Sequence, residues 1–339
     1  MSKTEKVNDI NEESIEDMEI SEKRDSIENT IFMNFNGLNI SLEVLEKQTY
    51  KNVQVVPIKT DAFAKKDFIT LKKGIEMGLV SVRELDSEQV NTVVCKNDAV
   101  VPLLLIDGDE IVGAKQNRIM NETLLIPANS ERKIPVSCTE HGRWRFDSDV
   151  KKEFGLSNYS LNFDTRRVKN RARRESRDYQ SDVWNHISKL ENRHAFKSRT
   201  SALNDNYQHS KITQDDYLKN LNIVDGQNGV ICFINGEFKG IELFYNHIIY
   251  KEYHEKTLRS YIIEAIADGG EKAISDNEMF RVINGELNDI SSSAFEEYHT
   301  VGLGENLKFG TKDASGSGLI FEDELIHMTY FKGHDDLII

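Results

Sequence analysis

The sequence predicts an α+β fold that is β-rich, with hairpins in its N-terminal half and at its C-terminus, and with the helices grouped in the second half. Apolar residues alternate with polar ones over residues 38–58, which is typical of half-buried strands. Between residues 183 and 266 apolar residues recur at helical spacing instead. Because the two patterns are segregated along the chain, they favour α+β over alternating α/β.

The first elements are strands interrupted by one short helix. Alternation continues through residues 38–45 and 53–58. Thr70 can cap a short helix that Gly78 ends, and residues 79–85 then resume as a strand. This region is therefore predicted to contain more strand than helix.

Two segments of similar plan carry a hairpin signal. Residues 103–113 place an Asp-Gly pair between two apolar strands, and residues 230–241 place an Asn-Gly pair in the same way. These dipeptides supply the positive backbone angles that a two-residue turn demands. The two segments predict two hairpins, and an internal duplication is one interpretation of their similarity.

The second half is predicted to hold the helices and a final hairpin. The helical patterns are a face shared by Val183, Ile187 and Leu190, a short piece at 217–221, a longer helix at 250–267 that Gly269 and Gly270 stop, and a segment at 277–283. Residues 319–321 and 325–331 flank an acidic turn and predict a hairpin.

The chain is expected to form one ordered body behind an acidic tail. Residues 1–29 offer almost nothing to bury and are predicted to be disordered. Residues 30–333 are predicted to form a single compact domain, and residues 334–339 a tail. Two β-rich subdomains, at about 30–160 and 180–333, are the alternative arrangement.

Composition restricts the class of protein. A net charge of −14 and a pI near 5.2 favour a soluble protein and argue against binding nucleic acid or membrane through overall charge. Cys95, Cys138 and Cys232 are widely spaced, so neither a disulfide framework nor a structural zinc site is expected. No signal peptide is recognised, and the apolar run 100–106 is too short to span a bilayer. A cytoplasmic protein without a metal or membrane anchor is expected.

A polar block follows the first predicted hairpin. Lys115, Gln116, Asn117 and Arg118 are adjacent long polar side chains, which suit ligand binding better than core packing. The alternative is that they cap strand ends and satisfy turn carbonyls. Both interpretations place the block at a strand end.

The chain resembles a known family. Residues 105–118, followed by 134–138 and 142–144, resemble the signature of the prokaryotic ARG and rhodanese-phosphatase-superfamily-associated protein domain family. Gln180 with Trp184 and the segments 240–244, 259–261 and 301–304 resemble its later landmarks, so the likeness runs from about residue 31 to 332. The acidic tail and the basic stretch after Asp164 are not part of it.

The resemblance implies the kind of cellular system in which the protein acts, but it does not imply a particular reaction. The family name records association with ADP-ribosylglycohydrolase and phosphatase-type proteins. It implies a soluble nucleotide- or ADP-ribose-related ligand-binding protein in a prokaryotic or phage conflict or stress system, with catalysis left open and no cofactor assigned. The alternative is a nucleic-acid-binding or non-catalytic interaction protein of a defence operon, with protein partners from that operon.

The ligand-binding candidates follow from their chemistry. Lys115 and Arg118 could pair with a phosphate, while amides could bind ribose hydroxyls or a base edge. Trp144 could stack on a base or cover a core edge. The predicted ligand-binding set is Lys115, Gln116, Asn117, Arg118, Asn121, Arg143, Trp144 and Arg259.

The catalytic candidates are Glu110, Glu140 and Cys138. Two carboxylates on facing strands could hold a water or position a general base, although Glu110 could equally be an exposed hairpin residue. Cys138 could be a thiol nucleophile beside His141, or a small buried apolar residue. Both alternatives stay open at this point.

The basic stretch at residues 166–177 contrasts with the acidic chain. It could bind RNA, DNA or a polyphosphate, or it could be a solvated loop or helix that balances the acidic tail. Aromatic residues do not interleave its arginines, so single-strand stacking is poorly supported. A small phosphate-bearing ligand is therefore the expected partner, and nucleic acid is not.

Overall fold

The predicted α+β class is confirmed by a computed structural model, which describes residues 30–60, 66–85, 90–142 and 153–333. In these ranges the chain forms nineteen strands, arranged in three sheets, and seven helices. The predicted tails, residues 1–29 and 334–339, lie outside the described residues.

The strands are numbered in chain order. They are β1 Thr30–Phe35, β2 Leu38–Val44, β3 Gln48–Tyr50, β4 Val53–Thr60, β5 Ile69–Thr70, β6 Val80–Glu84, β7 Thr92–Asn97, β8 Leu103–Leu105, β9 Asp109–Gly113, β10 Arg118–Met120, β11 Leu124–Ile126, β12 Ser130–Cys138, β13 Phe154–Ser160, β14 Gly229–Ile234, β15 Glu237–Phe244, β16 Glu296–Tyr298, β17 Glu305–Gly310, β18 Ala314–Phe321 and β19 Glu324–Lys332.

The helices are likewise numbered among the described residues. They are α1 Leu71–Glu76, α2 Phe163–Arg174, α3 Gln180–Arg193, α4 Leu203–His209, α5 Lys211–Leu218, α6 His247–Asp268 and α7 Asp276–Ser291. None of these described helices combines the length and apolar character needed to cross a membrane.

The largest sheet is antiparallel and has ten strands. Its order is β1-β2-β4-β14-β15-β19-β18-β17-β16, and β3 pairs with β4. Strands from residues 30–60 therefore lie beside strands from residues 229–332. The alternative arrangement has two subdomains, at about 30–160 and 180–333. The large sheet takes strands from both of these ranges, so it extends across that division.

Two smaller sheets carry the middle of the chain. The six-stranded sheet has the order β13-β9-β10-β12-β7-β6, and the three-stranded sheet has the order β11-β8-β5. The strands β8 and β5 are parallel, while the other pairs are antiparallel.

The hairpin predicted at residues 103–113 is wrong. The turn exists, with Gly108 at φ +82°, but β8 pairs with β11 and β5 whereas β9 pairs with β10 and β13. The N–H of Gly108 donates to Met120 O at 2.8 Å, which ties the turn to a neighbouring strand. The chain thus crosses from one sheet to another at this turn.

The second similar segment does form the predicted hairpin. The strands β14 and β15 are antiparallel, and Asn235 and Gly236 adopt φ values of +52° and +77° in the turn. The final hairpin of β18 and β19 is also confirmed. Because only one of the two similar segments is a hairpin, they are not two copies of one structural unit.

The predicted helices are present, with some different limits. The Thr70 hydroxyl accepts the N–H of Lys73 and caps α1, as expected. The helix α5 begins at Lys211, whereas the predicted piece began at Tyr217. The prediction missed the first turns because the buried residue there, Gln214, is polar and does not show in the apolar pattern. The helix α7 extends to Ser291, well beyond the predicted segment.

Hydrophobic clusters cover both faces of the large sheet. One cluster contains the buried face of α7, with Ile283 and Leu287 among its members. The other contains the centre of α6, with Tyr250 and Tyr261. The helix α6 thus lies between the large sheet and β13 of the six-stranded sheet, where it forms one wall of a cleft.

Candidate functional site

A polar cleft of about 480 Å³ lies where β13 meets α1, α6 and the first residue of α5. This volume falls within the range of about 300–1,000 Å³ that is usual for small-molecule sites. The lining residues, grouped by element, are Lys72 and Glu76; Leu156, Ser157, Asn158 and Tyr159; Lys211; and Lys251, Glu252, Tyr253, Glu255, Lys256 and Arg259.

Five of the lining side chains are cationic. Lys72 comes from α1 and Lys211 from α5. Lys251, Lys256 and Arg259 come from α6, where the three-residue spacing of Lys256 and Arg259 places those two side chains next to each other. Three elements that are distant in sequence therefore bring positive charge to one cleft in an otherwise acidic protein.

Three of these cations are bound by carboxylates. Lys256 pairs with the buried Asp109, which also accepts the hydroxyl of Tyr253 at 3.3 Å. Asp215 accepts from Arg259 at 2.6 Å and from Lys211 at 2.7 Å. These pairs fix the cations at the cleft wall.

The other two cations are differently placed. Lys72 and Lys251 are exposed and make no ion pair or hydrogen bond with any residue that the structure describes. Each can therefore bind an anionic ligand without giving up a contact within the described part of the protein. Nearby, Glu252 accepts the Thr70 hydroxyl and links α6 to the start of α1.

Glu110 lies behind the cleft wall, on β9. Its Oε1 accepts the Thr139 hydroxyl at 3.0 Å, and its Oε2 accepts the Ser157 hydroxyl at 2.7 Å and the Asn204 amide at 3.2 Å. The side chain is fully buried, so Glu110 is not an exposed hairpin residue. Burial raises the pKa of this carboxyl, although its three donors and Lys256 act in the opposite direction.

Ser157 connects Glu110 to the cleft. Its Oγ donates to Glu110 and accepts two N–H groups, from the Asn204 amide at 3.2 Å and from the Tyr159 backbone at 3.1 Å. Sequence reasoning missed Ser157 and Asn204, because they lie in unremarkable polar segments far from Glu110 in the chain. Only the pairing of β13 with β9 brings Ser157 to this carboxylate.

Arg259 is a predicted ligand-binding residue that does line the cleft. Its guanidinium carbon lies 5.9 Å from the centroid of the Tyr159 ring. That ring stacks on Tyr207, with centroids 4.6 Å apart. Arg259 is therefore held by Asp215 on one side and faces an aromatic pair on another.

The block of residues 115–118 forms a separate cluster with Glu140. The Gln116 amide donates to Glu140 O at 2.8 Å, and the backbone N–H of Asn117 donates to Glu140 Oε2 at 3.3 Å. Arg118 donates to Gln116 Oε1 at 3.1 Å and to Asn117 O at 3.3 Å. Gln116, Asn117 and Arg118 are buried, and Lys115 is half-buried. These bonds match the strand-capping alternative, and the residues do not line the cleft.

Thr139 joins this block to the cleft. Its N–H donates to Asn117 O at 3.1 Å while its hydroxyl donates to Glu110. The two predicted carboxylates are thus linked through Thr139, and Glu140 is part of the block's own hydrogen bonding. Asn121 is buried, and its carbonyl accepts from Lys169 and Arg173 of α2.

Cys138 lies in a packed strand. It is 2 % exposed, and Gln180 bonds to both its N–H and its carbonyl, at 2.9 and 3.0 Å. Burial raises the pKa of its thiol. The His141 ring packs edge-on against Trp184 at 4.6 Å. This environment matches a small buried residue better than a thiol nucleophile.

Two residues of the predicted ligand-binding set, Arg143 and Trp144, lie outside the described residues.

The basic stretch is neither solvated nor free for nucleic acid over most of its length. It forms α2, in which Arg166, Arg167 and Lys169 are buried. Lys169 pairs with Asp107, and Arg166 pairs with Glu242 at 2.9 Å. The predicted solvated segment is therefore wrong, because these charges are neutralised within the protein.

Further cations of this helix have internal partners too. Arg173 pairs with Glu122 at 2.5 Å, and Arg174 donates to the carbonyl of Thr311 at 2.8 Å.

Across the described ranges, His, Cys, Asp and Glu side chains do not form groups of three or more that could hold a metal ion.

Comparison with known proteins gives one match. The sequence model of the ARG and Rhodanese-Phosphatase-superfamily-associated Protein domain, ARPP-1, matches residues 41–331. The match includes the cleft, Glu110 and the block of residues 115–118. No curated protein and no solved structure matches the chain.

Proposed function

The chain belongs to the ARG and Rhodanese-Phosphatase-superfamily-associated Protein domain family, and from this premise we propose that it binds a small phosphate-bearing ligand of the nucleotide or ADP-ribose class in the cleft between β13 and α6. One observation carries the proposal. Five cationic side chains from three elements converge on one cleft of ligand size, and two of them, Lys72 and Lys251, have no described anionic partner.

The mixture of charges in the cleft supports this ligand class. Lys and Arg side chains bind phosphate oxygens, Lys as a point charge and Arg as a fork. Glu76, Glu252 and Glu255 also line the cleft and can accept the hydroxyls of a ribose. A ligand with phosphates and hydroxyls therefore satisfies both the cationic and the acidic side chains. A polyanion without hydroxyls would be repelled by the carboxylates.

The fixed cations support it further. Because Asp109 and Asp215 hold Lys256 and Arg259 in place, a ligand meets groups that are already oriented. Lys72 and Lys251 at the exposed rim then supply charge that is free to bind. In this proposal the block of residues 115–118 keeps Glu140 and Thr139 in position and does not contact the ligand.

The family name supports a setting in a conflict or stress system, where the ligand would be a signal or a modified nucleotide. Protein partners from the same operon remain part of the proposal. A nucleic-acid-binding function is not favoured, because α2 uses Arg166, Lys169 and Arg173 in internal ion pairs.

Calorimetric titration of the full chain with ADP-ribose, NAD and AMP tests the proposal. We expect at least one of them to bind and to raise the melting temperature, since a ligand that binds only the folded state stabilises it. The double variant Lys72→Ala/Lys251→Ala should weaken binding by about 100-fold or more, because each of the two charge-assisted contacts contributes about 1.5–3 kcal/mol.

The matched control is Lys133→Ala. Lys133 is exposed on β12, makes no ion pair with a described residue and lies away from the cleft lining. Its loss should leave affinity unchanged. The proposal fails if none of the three compounds binds at millimolar concentration, or if Lys133→Ala weakens binding as much as the double variant does.

A further inference from the structure

The strand β13 is irregular where it lines the cleft. Between Leu156 and Ser160, three residues of β13 stand opposite the single residue Glu110 of β9. These three residues, 157–159, form a bulge, and all of them line the cleft. A bulge bends its strand and re-aims side chains, and bulges are over-represented next to active sites.

Both sides of the bulge are anchored. The Ser157 hydroxyl donates to Glu110 Oε2 at 2.7 Å, and it accepts the Tyr159 N–H at 3.1 Å and the Asn204 amide at 3.2 Å. The Tyr159 ring is buried and stacks on Tyr207, with centroids 4.6 Å apart. The backbone of the middle residue of the bulge is therefore held from both sides.

The middle residue, Asn158, has a fixed backbone and a free side chain. It is exposed and lines the cleft, and its amide makes no hydrogen bond with any residue that the structure describes. The amide thus offers one acceptor oxygen and two N–H donors to a ligand. The hydroxyls of Ser157 and Tyr253, by contrast, already donate to the buried carboxylates of Glu110 and Asp109.

Leu156 places an apolar surface next to the bulge. It is half-buried, and it is the one aliphatic side chain among the residues that line the described cleft. A flat ring with a polar edge suits an apolar side chain beside a neutral amide. The cations of the cleft suit phosphate oxygens instead, and its carboxylates suit ribose hydroxyls. By chemistry, Leu156 and Asn158 are the lining residues left for a base.

We infer that Asn158 binds the edge of an adenine ring, so that the ligand of the cleft is an adenine nucleotide. The amide oxygen accepts an N–H of the exocyclic amine, and the amide N–H donates to the ring nitrogen N7. In hypoxanthine an oxo group replaces this amine, and in either orientation of the amide two acceptors would then face each other. The inference rests on the proposed function, because it takes a nucleotide as the ligand of the same cleft.

Glu110 is a positioning residue in this arrangement. It is enclosed behind the cleft wall and reaches the bulge through Ser157. Because the bulge is ordered before the ligand arrives, less conformational freedom is lost on binding. The buried carboxylate thus acts on the ligand only by fixing where the Asn158 amide starts.

Calorimetric titration of the full chain with AMP and IMP tests the inference. The two nucleotides share the ribose and the phosphate, and they differ in the exocyclic group of the base. We expect AMP to bind about tenfold more tightly than IMP, which is the usual discrimination of a two-bond contact with a base edge. The 7-deaza analogue of AMP, in which a C–H replaces N7, should also bind more weakly than AMP.

The variant Asn158→Ala should bring the affinities for AMP and IMP to within about twofold of each other, because it removes the amide. Its affinity for ribose 5-phosphate should equal that of the wild type, since the cations are untouched. The matched control is Asn288→Ala. Asn288 is exposed on α7, has no side-chain hydrogen bond to a described residue and lies outside the cleft lining. This control should keep the preference for AMP.

The variant Ser157→Ala tests the positioning by Glu110. It removes the hydroxyl that joins the carboxylate to the bulge, so the Asn158 amide must be ordered on binding. The preference for AMP over IMP should fall by about two- to tenfold. Affinity for ribose 5-phosphate should stay unchanged, whereas a general loss of structure would lower it together with the melting temperature.

The outcomes separate this inference from the proposed function. Equal affinities of the wild type for AMP and IMP, or binding of ADP-ribose without binding of AMP, overturn adenine recognition and leave the phosphate-bearing ligand standing. A preference for AMP that persists in Asn158→Ala overturns the role of Asn158. If the wild type binds none of these compounds at millimolar concentration, the proposed function fails and the inference fails with it.

Discussion

Arg166 crosses directly over Gly108, so closely that a Cβ atom at Gly108 would lie 2.8 Å from the Cδ of Arg166. The same relation recurs along α2: a Cβ at Gly333 would lie 2.7 Å from the Nε of Arg167, and one at Gly310 would meet Arg174. Three cations of this helix thus run past glycines from three different segments. The absence of a side chain at each glycine leaves room for these cations, and beside Gly108 it allows Arg166 to reach the buried Asp107 and Glu242.

Gly108→Ala is expected to destabilise the protein more than Gly37→Ala does. Both glycines have positive φ, +82° and +90°, so each alanine has a backbone cost of about 1–2 kcal/mol. Only Gly108 has a neighbour within 4 Å of the added Cβ. Displacing Arg166 should add about 1–3 kcal/mol, measurable by urea unfolding. Equal losses in the two variants would contradict this.

Asp107→Asn should cost more stability than Lys169→Met. Asp107 faces Lys169, Arg166 at 3.7 Å and Asn170 at 3.4 Å, so its neutralisation leaves two buried cations without it, at about 3–5 kcal/mol. Lys169→Met leaves Asp107 with Arg166. It also removes a charge that burial already disfavours, since burial lowers the pKa of Lys169 to about 8. Denaturant unfolding of both variants gives the order, and the reverse order would refute this account.

Acid should destabilise the protein through His327. The Thr123 hydroxyl accepts the N–H of Asp107 at 3.1 Å and shares a hydrogen bond of 2.8 Å with Nδ1 of His327, in which the tautomer of the ring sets the donor. Burial, aided by the charge of Arg166, lowers the pKa of His327 to about 3. Above pH 6.5 the ring is neutral in both states and the stability is complete.

Between pH 6.5 and about 3, the unfolded chain takes up the proton first. This group alone should therefore lower the free energy of unfolding by about 1.4 kcal/mol per pH unit. His327→Gln should flatten the pH dependence over this range, whatever its effect on stability at neutral pH. His299→Gln, at an exposed position, is the control. Parallel pH profiles for wild type and His327→Gln would exclude His327 as the cause.

Nucleic acid should not bind appreciably at physiological salt. Of the cations in the basic stretch, those on the inner side of α2 are paired within the protein, and Arg171 and Arg177 share Glu175. Anisotropy titrations with duplex and single strands measure this. Tight binding would contradict it, in particular if its salt dependence falls by about 0.7–0.9 log unit per contact when Arg171, Arg173 and Arg174 become Ala.

Sequence patterns predicted the local elements better than their pairing. The cap at Thr70, the Asn-Gly hairpin and the long helix ending at Gly269 are properties of a few neighbouring residues. The failed hairpin at residues 103–113 has the same local signal. The pairing of these two strands is decided by residues that are distant in sequence. Lys169 of α2 pairs with Asp107, Arg166 fills the space over Gly108, and the strands on either side of the turn join different sheets.

The candidate site illustrates the same limit. Glu110 and Arg259 were predicted from the chain and both belong to the cleft region, but they were assigned to a site around residues 115–118. Lysines spread over α1, α5 and α6 give no shared sequence signal, and neither does Ser157. Conversely, the basic stretch looks exposed in sequence, because a helix that buries its charges against distant carboxylates has the same composition as a solvated one.

The pairing of β4 with β14 joins residues 53–60 to residues 229–234. During synthesis on a ribosome, β4 is complete about 170 residues before its partner is made. Until then the edge of β4 has open backbone groups, which are a template for pairing with other chains. Contacts so distant in sequence also form slowly. Translation of the second half of the chain therefore sets the earliest moment at which the first half can be safe from aggregation.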